Sequence, residues 1–341
     1  MRHWIVLTLV GLLFSCQHPK PPKSVTSSFY FWKTNVFFTE KERTTLQSNH
    51  VKKLYVKFFD VDWHQGPAPK AIVQLNDTTL QQFNIIPVVY ITNQTMLRIN
   101  PRQVDTLAKQ IAQKVSQLAQ KRSLSFAEIQ LDCDWTISSR NAYFRLLSQL
   151  RSYVSNRTIS ATIRLHQIKY ADKTGVPPVD RGLLMCYNMA DWKKASTENS
   201  IFDTEVIGSY LGNVEDHPLP LDVALPLFRW AVIYRHNRFV AFVNHADSPL
   251  LQRLRYLTVT DKPNRFVVNA DTMALGLSLH QGDVLRTEVA SYNDLLVTIR
   301  MLRKRIQNQT LTFAFYHLDQ PTLTFYTDEQ ISQLFAAIKE P

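Results

Sequence analysis

Glycine is scarce in this chain, and so are several motifs that depend on it. Only 8 of the 341 residues are glycine, and neither GxGxxG nor GxxxxGK[ST] occurs. Both patterns place backbone amides around phosphate groups, so the sequence lacks the phosphate-binding loops that are typical of open α/β sheets. HExxH, CxxC and Gly-x-Ser-x-Gly are also absent, which leaves zinc catalysis and a serine nucleophile without support. We therefore expect no cofactor and no metal.

Cysteine is equally rare, with 3 residues in the chain. One of them, Cys16, follows an N-terminal apolar run. Cys133 and Cys186 can form at most one disulfide bridge, and both lie in apolar, strand-like runs. Because free cysteine is among the most frequently buried side chains, we expect two buried free thiols.

The N-terminal apolar run is too short to cross a bilayer, which takes about 20 residues. It covers residues 4–14 and follows Arg2 and His3, a layout typical of a signal peptide. It ends in Leu13-Phe14-Ser15-Cys16, which resembles the lipobox of bacterial lipoproteins. That resemblance implies that signal peptidase cuts before Cys16 and that its thiol receives diacylglycerol. A plain secreted chain and a cytosolic chain with an apolar start remain alternatives.

The lipobox resemblance implies a place in the bacterial cell envelope, on the periplasmic side or at the outer membrane. Residues 17–27, which include the segment HPKPPK, are interpreted as a tether from the lipid anchor because such a Pro-rich run is extended and joins no core. The net charge is +11, with basic residues scattered over helix-like segments as on a solvated face. We expect some affinity for anionic polymers or lipid headgroups, and no nucleic-acid partner.

Residues 28–341 alternate strand-like runs with helical patterns, which is typical of parallel βα units. Strands are predicted at 29–33, 53–63, 85–93, 128–135, 158–167, 182–189, 222–234 and 310–318. Helices are predicted at 39–49, 78–83, 101–121, 139–155, 201–211 and 327–338. This alternation favours a closed (β/α)8 TIM-type barrel, with an open doubly wound sheet as the alternative. Residues 235–288 fit no βα unit, and we interpret them as an insertion between the seventh and eighth strands that either extends the site or only stabilises the barrel.

The fourth predicted strand, Glu128–Trp135, carries the most informative polar pattern. Alternation places Gln130, Asp132 and Asp134 on one face, which points into the barrel and rises to the mouth at the carboxyl ends of the strands. Repulsion between two buried carboxylates raises one pKa and so makes a proton donor, while the other group stays ionised. The alternative is a structural pair that neighbouring Arg or Lys residues satisfy.

Residues 126–134, FAEIQLDCD, resemble the fourth-strand motif of chitinase-type glycoside hydrolases, Phe-Asp-Gly-Ile-Asp-Ile-Asp-x-Glu. On that alignment Asp132 matches the middle Asp, Gln130 replaces the preceding Asp, and Asp134 replaces the terminal Glu. The segment MCYN at 185–188 is similar to the sixth-strand Met-x-Tyr-Asp of the same enzymes. A still closer likeness is to a family of exported bacterial lipoproteins with a Gln-φ-Asp-φ-Asp strand, itself similar to chitinase-type barrels.

The chitinase resemblance implies a mechanism for an active enzyme. Asp134 would protonate the glycosidic oxygen while the acetamido group of the substrate attacks, oriented by Asp132, Tyr187 and Asn188. Asp134 is one methylene shorter than Glu, which withdraws its proton by about 1 Å and can cost about a hundredfold in rate.

Further polar and aromatic residues fall at predicted strand ends and thus at the same mouth. Arg164 and His166 share a face of the fifth strand, where we expect them to bind an anionic substrate group, to set the protonation of Asp134, or to pair with Asp132. Flat indole faces suit sugar rings as well as core packing. The candidate substrate-binding residues are Gln130, Arg164, His166, Asn188, Trp32, Trp63, Asp62 and Trp230.

Together these features predict a lipid-anchored barrel whose partner is a glycan, either an N-acetylhexosamine-containing polymer or a peptidoglycan-type polymer. Hydrolysis by Asp134, Asp132 and Tyr187 is one possibility. A binding barrel that kept the pocket and lost its acid is the second. A scaffold lipoprotein that holds a partner through the insertion is the third.

Overall fold

A computed structural model describes residues 24–188 and 190–340. Eight parallel strands form a closed barrel, and we number them in chain order: β1 (Ser24–Phe31), β2 (Lys53–Trp63), β3 (Asn84–Ile91), β4 (Glu128–Asp132), β5 (Thr158–Arg164), β6 (Arg181–Met185), β7 (Leu221–Pro226) and β8 (Thr310–Tyr316). Each strand pairs with the next. β1 closes the ring because it pairs with both β2 and β8, at Ser28 with Lys53 and at Ser24 with Thr310. The predicted (β/α)8 barrel is confirmed.

Helices and short strands connect the barrel strands and cover the outside of the ring. The α-helices are Glu40–Ser48, Asn93–Arg98, Pro101–Gln120, Arg140–Tyr153, Leu165–Lys169, Ala171–Thr174, Thr204–Tyr210, Ser248–Gln252, Tyr292–Arg305, Gln320–Leu323 and Asp328–Ala337, with 3₁₀ turns at Leu80–Gln82 and Leu211–Asn213. Pro67–Lys70 returns antiparallel along β2, and Asn35–Val36 pairs with Gln74–Leu75.

Local chemistry explains where the long helices begin. Helix Pro101–Gln120 starts with Asn100 as its N-cap, whose side chain accepts from the Gln103 backbone N–H at 3.0 Å, and with proline in its first turn. Its buried face packs on the strands through residues spaced three or four apart, including Val104, Leu107 and Ile111. Helix Tyr292–Arg305 has no counterpart among the predicted helices.

Four predicted boundaries at the strand ends are wrong. The sixth predicted strand, 182–189, ends at Met185. β4 ends at Asp132 rather than at Trp135. β5 ends at Arg164 because a helix begins at Leu165, where the Arg164 backbone N–H donates to the Gln167 side chain at 2.8 Å. The predicted seventh strand, 222–234, is two strands, β7 and Arg229–Arg235, which belong to different sheets. Both runs are apolar and buried, so hydrophobicity alone does not separate them.

The tether that was predicted at 17–27 is also too long. β1 begins at Ser24, and its first residues bond to β8, with Ser24 opposite Thr310 and Ser27 opposite Phe313. Residues 24–27 therefore belong to the barrel. The signal peptide and Cys16 lie outside the described residues.

The insertion is a five-stranded antiparallel sheet between β7 and β8. Its strands lie in the order Arg238–Asn244, Arg229–Arg235, Val284–Val289, Arg265–Val268 and Leu257–Val259. A hairpin, Thr272–Ala274 with Leu277–Leu279, lies beside it. The sheet has a small core of its own that includes Ile233, Phe266 and Leu285. It starts at Arg229 and not at residue 235, because Arg229–Arg235 is one of its central strands.

Buried ionic groups join the insertion to the loop that follows β6. Arg286 and Glu288 are almost completely buried and pair with each other, with the Arg286 Nε 2.7 Å from Glu288 Oε1. Arg286 Nη1 donates to the Lys194 carbonyl at 2.9 Å, and the Ser200 hydroxyl donates to Glu288. The loop is therefore fixed to the sheet through groups that have no access to water.

Cys133 and Cys186 are both buried and free of disulfide bonds, as predicted. Within the described residues, no helix combines the length and the apolar character needed to span a membrane.

Candidate functional site

The inward face of β4 carries polar groups along its whole length. Glu128, Gln130 and Asp132 alternate with apolar residues, and all three are buried. At the start of the strand, Glu128 accepts from Lys53 Nζ at 3.1 Å and from the Ser160 hydroxyl at 2.6 Å. In the middle, Gln130 accepts from the Tyr30 hydroxyl. The predicted alternation is present, and it brings Asp132 to the mouth.

A cavity of about 230 Å³ opens at this mouth. Its walls come from seven barrel strands, all except β7, and from the residues just after them: Trp32, Lys57, Asp60, Tyr90, Asp132, Asp134, Arg164, Met185, Tyr187, Asn188 and Tyr316. Six of the eleven residues predicted for the site at the mouth are in this set, namely Asp132, Asp134, Tyr187, Arg164, Asn188 and Trp32. Four aromatic rings and several charged groups thus share one small space.

Asp132 lies at the floor of the cavity and is 6 % exposed. Burial raises its pKa to about 7, and the negative charge of Asp134 adds to the rise. The Thr162 hydroxyl, which donates to Asp132 at 2.7 Å, and the charge of Arg164 act in the opposite direction. Asp132 is therefore the carboxylate of the pair with the raised pKa, whereas the chitinase resemblance assigns the proton donor to Asp134.

Asp134 is held by Arg164 in a bidentate ion pair. Arg164 Nε and Nη2 lie 2.5 Å and 2.6 Å from the two carboxylate oxygens, and Nη1 donates to the Asn188 carbonyl at 3.3 Å. Burial lowers the pKa of Arg164, but the hydrogen bond and the charge of Asp134 outweigh it and raise that pKa above its ordinary value. Both oxygens of Asp134 thus accept from a guanidinium, and Arg164 pairs with Asp134 rather than with Asp132.

Aromatic rings form the rest of the wall. Tyr187 and Tyr316 stack with ring centroids 5.3 Å apart, and Trp32 lies 5.5 Å from Tyr316. Lys57 Nζ lies 5.5 Å from the Trp32 ring and 3.2 Å from the Asp60 carboxylate. Burial raises the pKa of both tyrosines, so their hydroxyls remain protonated donors at neutral pH.

Five of the predicted site residues do not line the cavity. Gln130 is completely buried below it. Trp63 and Asp62 lie at the end of β2 beside the short strand Pro67–Lys70, and Asp62 pairs with Lys70 at 2.8 Å. His166 is exposed on the helix that begins at Leu165, so the alternation that placed it beside Arg164 does not apply. Trp230, the fifth, is in the insertion sheet, and its indole N–H donates to Glu288 at 2.9 Å.

Trp230 nevertheless belongs to a band of rings that leaves the cavity. Phe228 lies 6.0 Å from Tyr187, Trp230 lies 5.1 Å from Phe228, and Phe242 lies 4.5 Å from Trp230. Trp192 continues the series at 4.9 Å from Phe242. Trp230, Phe242 and Trp192 are partly exposed. We call this series, Phe228–Trp230–Phe242–Trp192, the aromatic band.

The sequence argument did not identify Lys57, Tyr90, Met185 or Tyr316 as wall residues. Strand register is the signal that finds some of them, because Asp60, Tyr90 and Asp132 lie opposite one another on β2, β3 and β4. Arg164 and Met185 are opposite on β5 and β6. Register depends on pairing across the barrel and is not readable from any one segment. Among residues 24–188 and 190–340, no cluster of three or more His, Cys, Asp or Glu side chains is arranged to hold a metal.

No protein-family model and no curated protein matches the chain. Solved structures do match. The spore cortex-lytic enzyme SleL from Bacillus cereus aligns over 94% of this chain and 75% of its own, with 16% identity and a TM-score of 0.52. A chitinase from Chromobacterium violaceum aligns over 92% of this chain and 98% of its own, with 10% identity and a TM-score of 0.54.

The barrel has the fold of a chitinase. The resemblance that the β4 motif indicates is thereby confirmed for the fold. At identities this low the likeness extends to architecture and not to the chemistry of the mouth.

Proposed function

We propose that the cavity binds a glycan that contains N-acetylhexosamine, and that it does so without cleaving the chain. The observation that carries this proposal is the bidentate pair of Asp134 with Arg164 inside a cavity lined by aromatic rings. Rings such as Trp32 and Tyr187 provide apolar faces for sugars, and the charged groups provide hydrogen bonds. Asp134, which replaces the acid of chitinase-type enzymes in the β4 motif, has both carboxylate oxygens bonded to the Arg164 guanidinium instead.

The aromatic band supports a binding site longer than the cavity. Its half-exposed rings extend from Tyr187 across the insertion to Trp192, in a direction that a polymer leaving the cavity can follow. The fold shared with SleL, a cortex-lytic enzyme, and with a chitinase is consistent with a polymer of this class.

Titration of the soluble chain with N-acetylglucosamine hexamer tests the binding site. Trp32→Ala removes a ring of the cavity wall and should weaken binding about tenfold or more, as expected for the loss of a buried aromatic anchor. Trp63→Ala is the matched control, because Trp63 is also a half-buried indole near the end of a barrel strand but lies outside the cavity. Equal affinity in the two variants would contradict the proposed site.

A second candidate function is hydrolysis with Asp132 as proton donor. The observation that favours it is the position of Asp132 on the cavity floor with a pKa of about 7, suited to proton transfer near neutral pH. Release of reducing ends from the hexamer or from peptidoglycan decides between the candidates. The binding proposal expects none, whereas release that is lost in Asp132→Asn would establish the hydrolase.

We also propose that the chain is held in the cell envelope by a lipid on Cys16. The support is the run of residues 4–14 and the lipobox-like Leu13-Phe14-Ser15-Cys16. Expression with radiolabelled palmitate should label the chain, and Cys16→Ser should abolish the label. Cys133→Ser is the control, because that thiol is buried and should have no effect. A label that survives Cys16→Ser would refute the anchor.

A further inference from the structure

The end of the barrel opposite the cavity has a strongly basic surface, which we call the base. All eight strands are parallel, so their first residues lie at one end, and the helices that return from the mouth end there too. Arg151 and Arg181 at this end pair with Asp180 and Asp222. The other basic residues at these strand starts and helix ends that are at least partly exposed form the basic set of the base: Lys52, Lys121, Arg122, Arg157, Arg303, Lys304, Arg305 and Lys339.

Hydrogen bonds join three of these residues to neighbouring strand starts around the base. The Lys52 carbonyl accepts from the Asn84 N–H at 2.7 Å, which joins the starts of β2 and β3. The Arg122 carbonyl accepts from Gln81, just before β3, at 3.1 Å. Arg157, just before β5, donates to the Phe126 carbonyl at 3.2 Å and covers the Phe126 ring.

The cations nearest the cavity are paired with carboxylates, whereas most of those in the basic set at the base are not. At the mouth, Lys57 pairs with Asp60, Lys70 with Asp62, and Arg229 with Asp247. At the base, within the described part of the chain, Arg305 is the one member of the set with an ion-pair partner, Glu215 at 3.0 Å. The exposed carboxylates at this end are few: Asp180, which pairs with Arg151, together with Glu215, Asp216 and Glu340.

We propose that the base rests on a membrane surface that contains anionic phospholipid. β1 begins at this end, at Ser24, and helix Tyr292–Arg305 ends beside it, since Thr310 pairs with Ser24. The segment from Cys16 to Ser24 spans at most about 30 Å even when fully extended. A lipid on Cys16, on which this inference rests, therefore keeps the base and not the mouth nearest the bilayer. Each Lys or Arg close to an anionic surface strengthens binding roughly fivefold, and the cavity then opens away from the membrane.

Co-sedimentation with vesicles tests this surface without any lipid anchor. The protein is the unlipidated chain from residue 16 onward with Cys16→Ser. The vesicles are phosphatidylcholine alone, or phosphatidylcholine and phosphatidylglycerol in equal parts, in about 0.1 M salt, where the Debye length is about 10 Å. Binding should require phosphatidylglycerol and should weaken as salt is added.

Charge reversal at two places on one helix locates the surface. Lys121→Glu with Arg122→Glu changes the end of helix Pro101–Gln120 that lies at the base, and should weaken binding at least about 25-fold. Arg102→Glu with Lys109→Glu makes the same change of net charge about 18 Å or more away along the same helix, and should change binding less than about threefold. A third pair, Lys304→Glu with Lys339→Glu, tests the base on two other helices, so the result does not depend on one variant.

Two results would overturn the inference: binding to phosphatidylcholine alone that equals binding to the mixture, or equal losses in the base and control variants. The assay needs neither lipidation nor glycan. A negative vesicle result would therefore not change the conclusions from the palmitate labelling or the hexamer titration. A negative result in either of those experiments would likewise not change the vesicle result.

Discussion

Replacing Asp132 with Asn should make the stability of the barrel less dependent on pH. Burial, reinforced by the charge of Asp134, raises the pKa of Asp132 from 3.8 to about 7. In the unfolded chain this carboxyl ionises near pH 4. Between those two values the unfolded state releases a proton that the folded state retains, so ionisation favours unfolding as the pH rises.

The size of the effect follows from the width of that interval. Each pH unit within it changes the free energy of unfolding by about 1.4 kcal/mol, and the whole interval amounts to about 4 kcal/mol. The stability associated with a protonated Asp132 is complete below about pH 4 and is lost as the pH rises to about 7. The Asp132→Asn variant has no such loss, because its amide does not ionise, and the amide oxygen can still accept the hydrogen bond that Thr162 donates at 2.7 Å.

Urea denaturation at about pH 5 and about pH 8 measures the difference. Only the part of the interval from about pH 5 to about pH 7 lies between these conditions, so we expect the free energy of unfolding of Asp132→Asn, relative to that of the parent, to increase by about 2–3 kcal/mol from the lower pH to the higher. Asp216→Asn, at an exposed position, is the control and should keep the pH dependence of the parent. The same pH dependence in Asp132→Asn and the parent would refute the argument.

Two further substitutions test the packing that positions the site. Gly182→Ala places a Cβ 2.4 Å from the Ile163 side chain, and in a denaturation experiment it should lower the free energy of unfolding by about 1–3 kcal/mol. Gly212→Ala is the control and should lower it much less, because its Cβ would have nothing within 4 Å. Equal losses would contradict the tight packing of β6. Arg286→Ala leaves the Glu288 carboxylate buried without its cationic partner and should lower the free energy of unfolding by about 3–5 kcal/mol. A loss under about 1 kcal/mol is typical of an exposed ion pair and would contradict the burial of this pair.

The closed barrel was predictable because its signals are local. Each strand is a short apolar run, and each long helix has a repeating apolar face and marked ends, such as Asn100 before Pro101. The polar alternation Gln130-x-Asp132 also survives in the structure, because a strand that faces the barrel interior presents every second residue to it.

Other features depend on contacts that are distant in sequence. The sequence of residues 158–167 does not indicate that the Gln167 side chain caps a helix by accepting from the Arg164 N–H. The predicted strand therefore includes His166, whereas the strand in the structure ends at Arg164. Trp63 occupies the strand-end position that its sequence indicates, yet Pro67–Lys70 folds along β2 beside it, and Trp63 does not line the cavity. The pairing of Asp134 with Arg164 joins residues 30 positions apart and follows from the adjacency of β4 and β5.

A crystal structure of the chain with N-acetylglucosamine hexamer tests the central claim most directly. We expect an intact oligomer with one sugar ring in the cavity against Trp32, and with following rings along the aromatic band towards Trp230 and Trp192. An oligomer bound instead in the groove between Pro67–Lys70 and helix Pro101–Gln120, or a cavity left empty at a saturating concentration, would contradict the claim.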